Sequence, residues 1–478
     1  MIRPVVRLEK IWIKNFKNVV SGEISFENNR KPYSASILGL YGQNGSGKTA
    51  LIDAVELLKF SLSGRQVPSV MADFINADSD SAQLKYEFKV TRGEEVFNVF
   101  YEFSIKKEIA DDIQNMSESK ETEKKYKTVI FDEVLSYAYT SPENKCRLSV
   151  LIDTRTSEIF GPKVKYDILV GKRKEDMVDL MVIKGFTFMT SRTFIFSKEL
   201  LNTIRKHCEL TKASEIKREQ KRHLFVLESL VEYGNFSLFV INTSNTGLIS
   251  MNTLPLAFKY EEKNQRAVGQ LAVKLNGATT IPEKTLEVVK KVIENMNIVL
   301  SQIIPGLTIG IKELGRQVME NGQTGTRIQL VSYKNHKEIA LRYESEGIKK
   351  IISILQLLIV VYNYPSITVA IDELDSGVFE YLLGELLKII SEKGKGQLIF
   401  TSHNLRPLET LDRGFIAFTT TNPKNRYIRF NNVKDNNNLR DFYFRDIVLG
   451  EQSEEVYEPT NNYEIALAFK EAGDNSGS

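Results

Sequence analysis

Apolar and polar residues alternate at period two from Val6 to Phe26, in the pieces Leu8–Ile13 and Gly22–Phe26, which predicts two paired strands. The pattern then changes to a continuous apolar run, Ile37–Tyr41, followed by a glycine-rich stretch, Gly42–Thr49, and by Ala50–Ala54, which continues in helical period to Ser63. That order reads as strand, loop, helix. Asp73–Ser81 is polar and predicts a loop; Leu84–Val90 and Val96–Ile105 alternate around a turn at Arg92–Glu94 and predict a hairpin. Lys106–Thr128 is crowded with lysines and acids and predicts a solvated loop, after which strands resume over Val129–Phe160. From Lys198 to about Pro305 helical period dominates. Its clearest helices are Ala213–Glu232, capped by Ser214 or Thr211, and Pro282–Ile304, capped by Thr280, while Phe236–Lys274 has no regular pattern. Ile351–Tyr362 is apolar but interrupted by Ser353 and Gln356, too short to span a bilayer, and predicts a buried helix. Ile367–Ile371 reads as a buried parallel strand, followed by an amphipathic helix to Ser391, a turn at Lys393–Gly396 and a strand at Gln397–Thr401.

Composition adds bounds. A chain of 478 residues suits roughly three domain-sized units. Its net charge of +3 is near balance, so any affinity for nucleic acid must come from a local patch. Cys146 and Cys208 form neither a metal-spaced pair nor a disulfide framework, which fits a cytoplasmic protein. No signal-peptide pattern opens the chain, and no membrane partner is expected.

The loop carries the first chemistry. Gly42, Gln43, Asn44, Gly45, Ser46, Gly47, Lys48 and Thr49 spell the phosphate-loop pattern of a glycine, four residues and Gly-Lys-Thr, in the strand-to-helix context that it needs. Backbone N–H groups would wrap phosphates there, and the helix N-terminus adds partial positive charge. Lys48 would reach the β- and γ-phosphates and the Thr49 hydroxyl would ligate Mg²⁺, so ATP and Mg²⁺ are the expected ligands.

The words IKNFKN at Ile13–Asn18, some twenty-five residues before the loop, resemble the N-terminal signature of the SMC, RecF and OLD branch of the ABC-type ATPases. In that branch residues of this stretch often lie near the nucleotide; the alternative for Lys14 and Lys17 is plain solvated charge. The resemblance implies an α/β fold, an ABC-type P-loop ATPase head: a mixed sheet with flanking helices and an antiparallel β-subdomain, here with a helical insertion. It implies an N-terminal half of the head at 1–197, a mainly helical insertion at 198–305 and a C-terminal half at 306–478. Arg342–Lys350 resembles the family's signature motif in a shortened Ser-x-Gly form. Ser345 and Gly347 of one subunit would then bind the γ-phosphate held by the loop of the other, which implies a homodimer or higher homo-oligomer formed through ATP. Asp372 and Glu373 end the strand that follows; Asp372 would hold Mg²⁺ through water and Glu373 would polarise the attacking water as general base. Asp375 falls at the family's D-loop and His403 at its switch histidine, within reach of the γ-phosphate. Leu405–Phe430 looks like the C-terminal hairpin of stand-alone OLD-like ATPases, many of which serve bacterial anti-phage defence.

Two departures stand out: no Q-loop glutamine is found, and the signature lacks the full Leu-Ser-Gly-Gly pattern. Val129–Glu133 has the form of a second strand ending in Asp-Glu, but the alternation continues past it, so Asp132 and Glu133 are expected to be ordinary strand-end carboxylates. Seven basic residues against three acidic ones between Arg205 and Arg222 leave a local +4. Lys217, Arg218, Lys221 and Arg222 could track DNA or RNA phosphates, or form a solvated face with pairs such as Glu215–Arg218 and Glu219–Arg222. No long heptad repeat occurs, and His207, His223 and His336 have no nuclease spacing. The 75 residues after His403 are too few for the Toprim nuclease fused to some relatives, so an effector from a neighbouring gene is expected. Two functional classes follow: the sensor or scaffold of a defence system, or a RecF-like ATPase that clamps DNA in repair or chromosome maintenance. A transporter motor is disfavoured by the N-terminal word and the split signature.

Overall fold

The computed structural model describes residues 3–109, 126–262, 265–319, 322–335, 337–430, 438–450 and 452–474. The chain opens with strands β1 (Val5–Phe16), β2 (Val19–Ser25) and β3 (Ser36–Tyr41) and helix α1 (Lys48–Leu62). Strands β4 (Ser81–Arg92), β5 (Glu95–Ile109), β6 (Tyr126–Thr140) and β7 (Lys145–Asp153) come next. Helices α2 (Lys163–Leu169), α3 (Lys174–Met189), α4 (Lys198–Leu210) and α5 (Ser214–Phe236) lead to strand β8 (Leu238–Ile241) and helix α6 (Thr243–Ser250). Strands β9 (Thr253–Glu262), β10 (Gln265–Lys274) and β11 (Thr279–Pro282) precede helix α7 (Glu283–Ile303), then β12 (Leu307–Val318), β13 (Thr324–Lys334) and β14 (Lys337–Ala340). The last part is α8 (Glu346–Asn363), β15 (Thr368–Ile371), α9 (Glu380–Lys393), β16 (Gln397–Thr401), α10 (Arg406–Thr410), β17 (Ile416–Thr419), β18 (Tyr427–Ile428), α11 (Leu439–Leu449) and α12 (Asn462–Asp474).

The central sheet runs β18-β17-β3-β16-β15-β8, parallel except for β18. Strands buried on both faces need continuous apolar sequence, and β3, β8, β15, β16 and β17 are buried at every position. Successive side chains still part company: Leu38 and Leu40 join the core beneath α1, whereas Ile37 and Tyr41 join the core built around α7, α8 and α9. An antiparallel sheet, β2-β1-β4-β5-β6-β7, closes the α1 side. This is the fold expected of an ABC-type P-loop ATPase head.

Several local expectations change. Strand β8, a helix and the β9–β10 hairpin occupy the stretch read as irregular, Phe236–Lys274, because four buried residues such as Leu238–Ile241 carry no period that tells strand from helix. The sheet β11-β13-β12, with β14 on β13, was likewise unread. Helix α5 enters through extended Ala213 and α7 through Pro282, neither with a side-chain cap; Thr280 is instead a strand residue paired with Arg327. Both ends of the loop expected at Lys106–Thr128 are strand instead, Lys106–Ile109 pairing with Tyr126–Val129, and 110–125 lies outside the described residues, as do His336 and 431–437. Asp132 and Glu133 are mid-strand, not strand-end. Together they oppose the single residue Phe103 across a β-bulge, which turns Glu133 inward. There its carboxylate accepts hydrogen bonds from Tyr101 Oη (2.9 Å), Phe194 N (2.6 Å) and Thr193 Oγ1, and burial pushes its pKa up against them.

The basic cluster is split. Lys221 and Arg218 are exposed, but Arg222 is half-buried with its guanidinium 5.0 Å from the Tyr139 ring. Glu219 pairs with Lys165 at 2.5 Å, so the expected Glu219–Arg222 face does not form as drawn. Both cysteines are free, and among the described residues no helix is long and apolar enough to cross a membrane.

Candidate active site

Parallel neighbouring strands end at the same edge of a sheet, and this brings distant residues together. Strands β3, β16 and β15 lie side by side, so the phosphate loop, the Ser402–His403 turn and the Asp372–Glu373 pair share one rim. They line a cavity of about 360 Å³ that contains Asn44, Gly45, Gly47, Lys48, Thr49, Asp372, Glu373 and His403, with Lys17, Asn18 and Thr401.

The loop's shape depends on two glycines above all. Gly47 adopts φ +96° and opens α1 with no side-chain cap and no acid in the first turn, leaving the helix's first N–H groups for an anion. At Gly42 (φ +149°) a Cβ would stand 1.8 Å from Thr419 Oγ1. Lys48 is buried, and its Nζ donates to the carbonyls of Gly42 (2.7 Å) and Gln43 (2.9 Å). Burial lowers the Lys48 pKa, while Asp372, Glu373 and Asp375 oppose that shift. Ser46 turns away from the cavity, its hydroxyl donating to Gln43 O and meeting Thr419 Oγ1. The Gln43 side chain is taken by the backbone N–H of Glu458 at 2.9 Å.

Asp372 is buried, with one carboxylate oxygen accepting from Thr401 Oγ1; the other, Oδ2, has no partner among the described residues. Glu373 is exposed on a left-handed backbone, φ +50°, and its N–H donates to the same Thr401 hydroxyl at 2.8 Å. Asp375 points back into its own chain, where its Oδ2 accepts from His403 N (3.1 Å) and Asn404 N (2.9 Å). His403 is exposed.

Ser345 and Gly347 do not line this cavity. Ser345 caps α8, accepting from Ile348 N at 3.3 Å, and is exposed. Gly347 lies against the D-loop so closely that a Cβ would stand 2.1 Å from Gly377 O.

Of the other participants, Lys17 and Asn18 lie in the IKNFKN stretch that was expected near the nucleotide, and the rest were not singled out by a motif. Lys17 is an ion-pair partner of Asp53 in α1 and sits 4.1 Å over the Phe74 ring, while Lys14 is exposed. Burial raises the Asp53 pKa and the hydrogen bond from Lys17 pulls it down. The β17–β18 hairpin braces the phosphate loop from behind: Tyr427 Oη donates to Gly47 O (3.0 Å), and Arg426 donates to the carbonyls of Asn18 (2.6 Å) and Thr420 (2.5 Å). Lys350, in the first turns of α8, is buried and feels Glu373, Asp375 and Asp372; burial pushes its pKa down to about 8. Thr401 needed the fold to be seen, since nothing in Gln397–Thr401 marks it beyond strand propensity.

A buried lysine on a glycine-wrapped helix N-terminus, facing an orphaned carboxylate oxygen, is an arrangement suited to a phosphate chain and a divalent cation. Over residues 10–237 the chain matches the family model described as AAA domain. The chain is also 34% identical over 92 residues to the DNA replication and repair protein RecF of Parabacteroides distasonis, covering 19% of this chain and 22% of that protein. The match thus spans about a fifth of the length of that curated relative. Among solved structures, the SMC head domain from Thermotoga maritima shares 14% identity at a TM-score of 0.36, covering 89% of this chain and 99% of that one. The recombination mediator protein RecF, in a structure titled RecF-ATPrS, shares 13% at a TM-score of 0.35, covering 89% and 98%.

Proposed function

We propose that this chain binds and hydrolyses ATP as an ABC-type ATPase and pairs head to head with a second copy when nucleotide is bound. The observation that carries this is the convergence of Lys48, Thr49, Asp372, Glu373 and His403 on one cavity from three separate strand ends. The residues also fit Mg²⁺: the Asp372 oxygen without a partner and the Thr49 hydroxyl belong to the same cavity. Thr49 and Asp372 would hold Mg²⁺, which when bound would supply positive charge against the charge developing on the phosphates. Lys48 leaves the Gly42 and Gln43 carbonyls for the phosphates, and the α1 N-terminus holds them. Glu373 polarises a water, whose oxygen bonds to the γ-phosphorus as the bond to the β–γ bridging oxygen breaks, giving ADP and phosphate. His403 contacts the γ-phosphate. Ser345 and Gly347, outside their own cavity, serve the second copy's.

Residues 1–197 and 306–478 form the two halves of the head, and 198–305 is an insertion that also lends β8 to the central sheet. In the cytoplasm, where free cysteines are at home, this ATPase is the sensor or scaffold of an anti-phage system, and its dimer state licenses a separate effector, a nuclease, encoded nearby. The identity to RecF favours a second reading, an ATPase that clamps duplex DNA in repair. Lys217, Arg218 and Lys221 are its candidate phosphate contacts.

The test is hydrolysis by Lys48→Ala and Glu373→Gln beside the parent. Glu373→Gln should retain ATP binding, lose about 10²-fold or more in turnover and accumulate a dimer. Lys48→Ala should bind poorly. Parental turnover in both would remove the assignment.

A further inference from the structure

Helix α12 has no cover among the described residues. Every described side chain from Glu458 to Gly473 is exposed, including Tyr463 (72%), Leu467 (48%) and Phe469 (77%). Tyr463 with Leu467 and Ile465 with Phe469 are two i,i+4 apolar pairs on different sides of the helix, Glu464 with Glu471 make an acidic stripe between them, and Lys470 stands on the Tyr463 side. Exposed apolar pairs on two sides of a helix normally find a partner to pack on, and thirteen residues alone in water are marginal as a helix.

The chain leading to α12 is pinned beside the phosphate loop. The Glu454 carboxylate accepts from Asn422 and Asn425 at 3.0 and 2.8 Å, Thr421 N donates to Glu455 O at 2.8 Å, and Val456 is buried. Glu458 then donates its N–H to Gln43 of the loop itself. Helix α12 starts at Asn462, so even a fully extended link holds its first turn within about 14 Å of that point. On the signature side, Tyr343 and Phe379 are 70% and 71% exposed and flank the contact between Gly347 and Gly377. Exposed Arg342 lies over Tyr343 and supplies positive charge opposite to the Glu464–Glu471 stripe.

We propose that α12 is a clasp that packs its apolar sides on the Tyr343–Phe379 patch of a second copy of this chain. The proposal rests on the head-to-head pairing above. When Ser345 of one copy meets the phosphate loop of another, the patch beside Ser345 arrives where Gln43 and Glu458 tether α12. The ligand of this surface is a second copy, recognised by aromatic packing and by Arg342 against the two glutamates.

The experiment uses the full chain carrying Glu373→Gln, with Mg-ATP, and reads mass by sedimentation and ATP affinity by a fluorescent nucleotide. Tyr463→Asp with Phe469→Asp should raise the protein concentration needed for doubling by tenfold or more at unchanged ATP affinity. Phe379→Asp should do the same, and Phe469→Leu should restore pairing. A mixture of Phe469→Cys and Tyr343→Cys chains should cross-link between copies only when Mg-ATP is present. Doubling that ignores the aspartates, or a cross-link confined within one chain bearing both cysteines, would overturn the clasp and leave the pairing intact. Failure of Glu373→Gln itself to double would overturn the pairing and the clasp with it.

Discussion

Thr401 shows how one side chain can hold a site that its neighbours get credit for. Its hydroxyl donates to Asp372 and accepts from the Glu373 N–H, fixing both carboxylates while Glu373 sits at a left-handed φ of +50° that a non-glycine residue adopts only when held. Thr401→Val should therefore lower kcat by about tenfold with KM nearly unchanged, and Thr401→Ser should recover most of it, because only the hydroxyl is needed. Equal kinetics for Val and Ser would mean that the threonine merely packs. Lys350 makes a second prediction at this scale. Its pKa, about 8 in the fold, lies below the ordinary lysine value, so over the window from about 8 to about 10.4 the unfolded chain holds a proton that the folded chain has lost. Stability should rise with pH across that window through this group, and below about 8 the fold bears the whole cost of the buried ammonium. Lys350→Met should remove up to about 1.4 kcal/mol per pH unit from the slope of urea-unfolding stability in that window. An unchanged slope would place the ammonium in water.

At the scale of elements, the contact between the α8 N-terminus and the D-loop is a tight junction of two backbones. Gly347 meets Gly377 backbone to backbone and has no room for a side chain without movement, whereas Gly377 has the room but a φ of +74° that favours glycine. Gly347→Ala should push the signature serine off the D-loop, leaving ATP affinity intact and abolishing the Mg-ATP-dependent doubling of the Glu373→Gln protein. Retained doubling would mean that the junction does not set the pairing surface. The β17–β18 hairpin has the complementary task of bracing the phosphate loop through Thr419, Arg426 and Tyr427.

For the whole molecule, the question is what a pair of heads grips. A net charge of +3 gives no general attraction to nucleic acid, and the sharing of Arg222 with Tyr139 and of Glu219 with Lys165 leaves Lys217, Arg218 and Lys221 as the part of α5 available for phosphates. A DNA clamp predicts a duplex affinity that appears with Mg-ATP and falls steeply between 50 and 200 mM salt, less steeply in Lys217→Ala with Lys221→Ala. Absence of duplex binding, with co-purification of a neighbouring gene's product, favours the effector reading.

How much of this was readable in advance follows from how far each signal reaches along the chain. Gly42–Thr49, the apolar strand ending in Asp372 and Glu373, and the strand before His403 are local patterns: a parallel strand buried on both faces must be continuously apolar, and its chemistry sits where it ends. Sequence therefore determined the three central strands that end at the site, the loop and the order of the site's pieces. It could not determine Lys17 on Asp53, Arg426 behind Gly47, Thr401 between two carboxylates, or Glu133 turned inward by a bulge, because each depends on which distant residue arrives opposite it. Strand β8 escaped for a related reason, since four buried residues become a strand only by pairing with β15. Local chemistry is written in residue order, whereas partners are chosen by packing, and packing exists only in the folded chain.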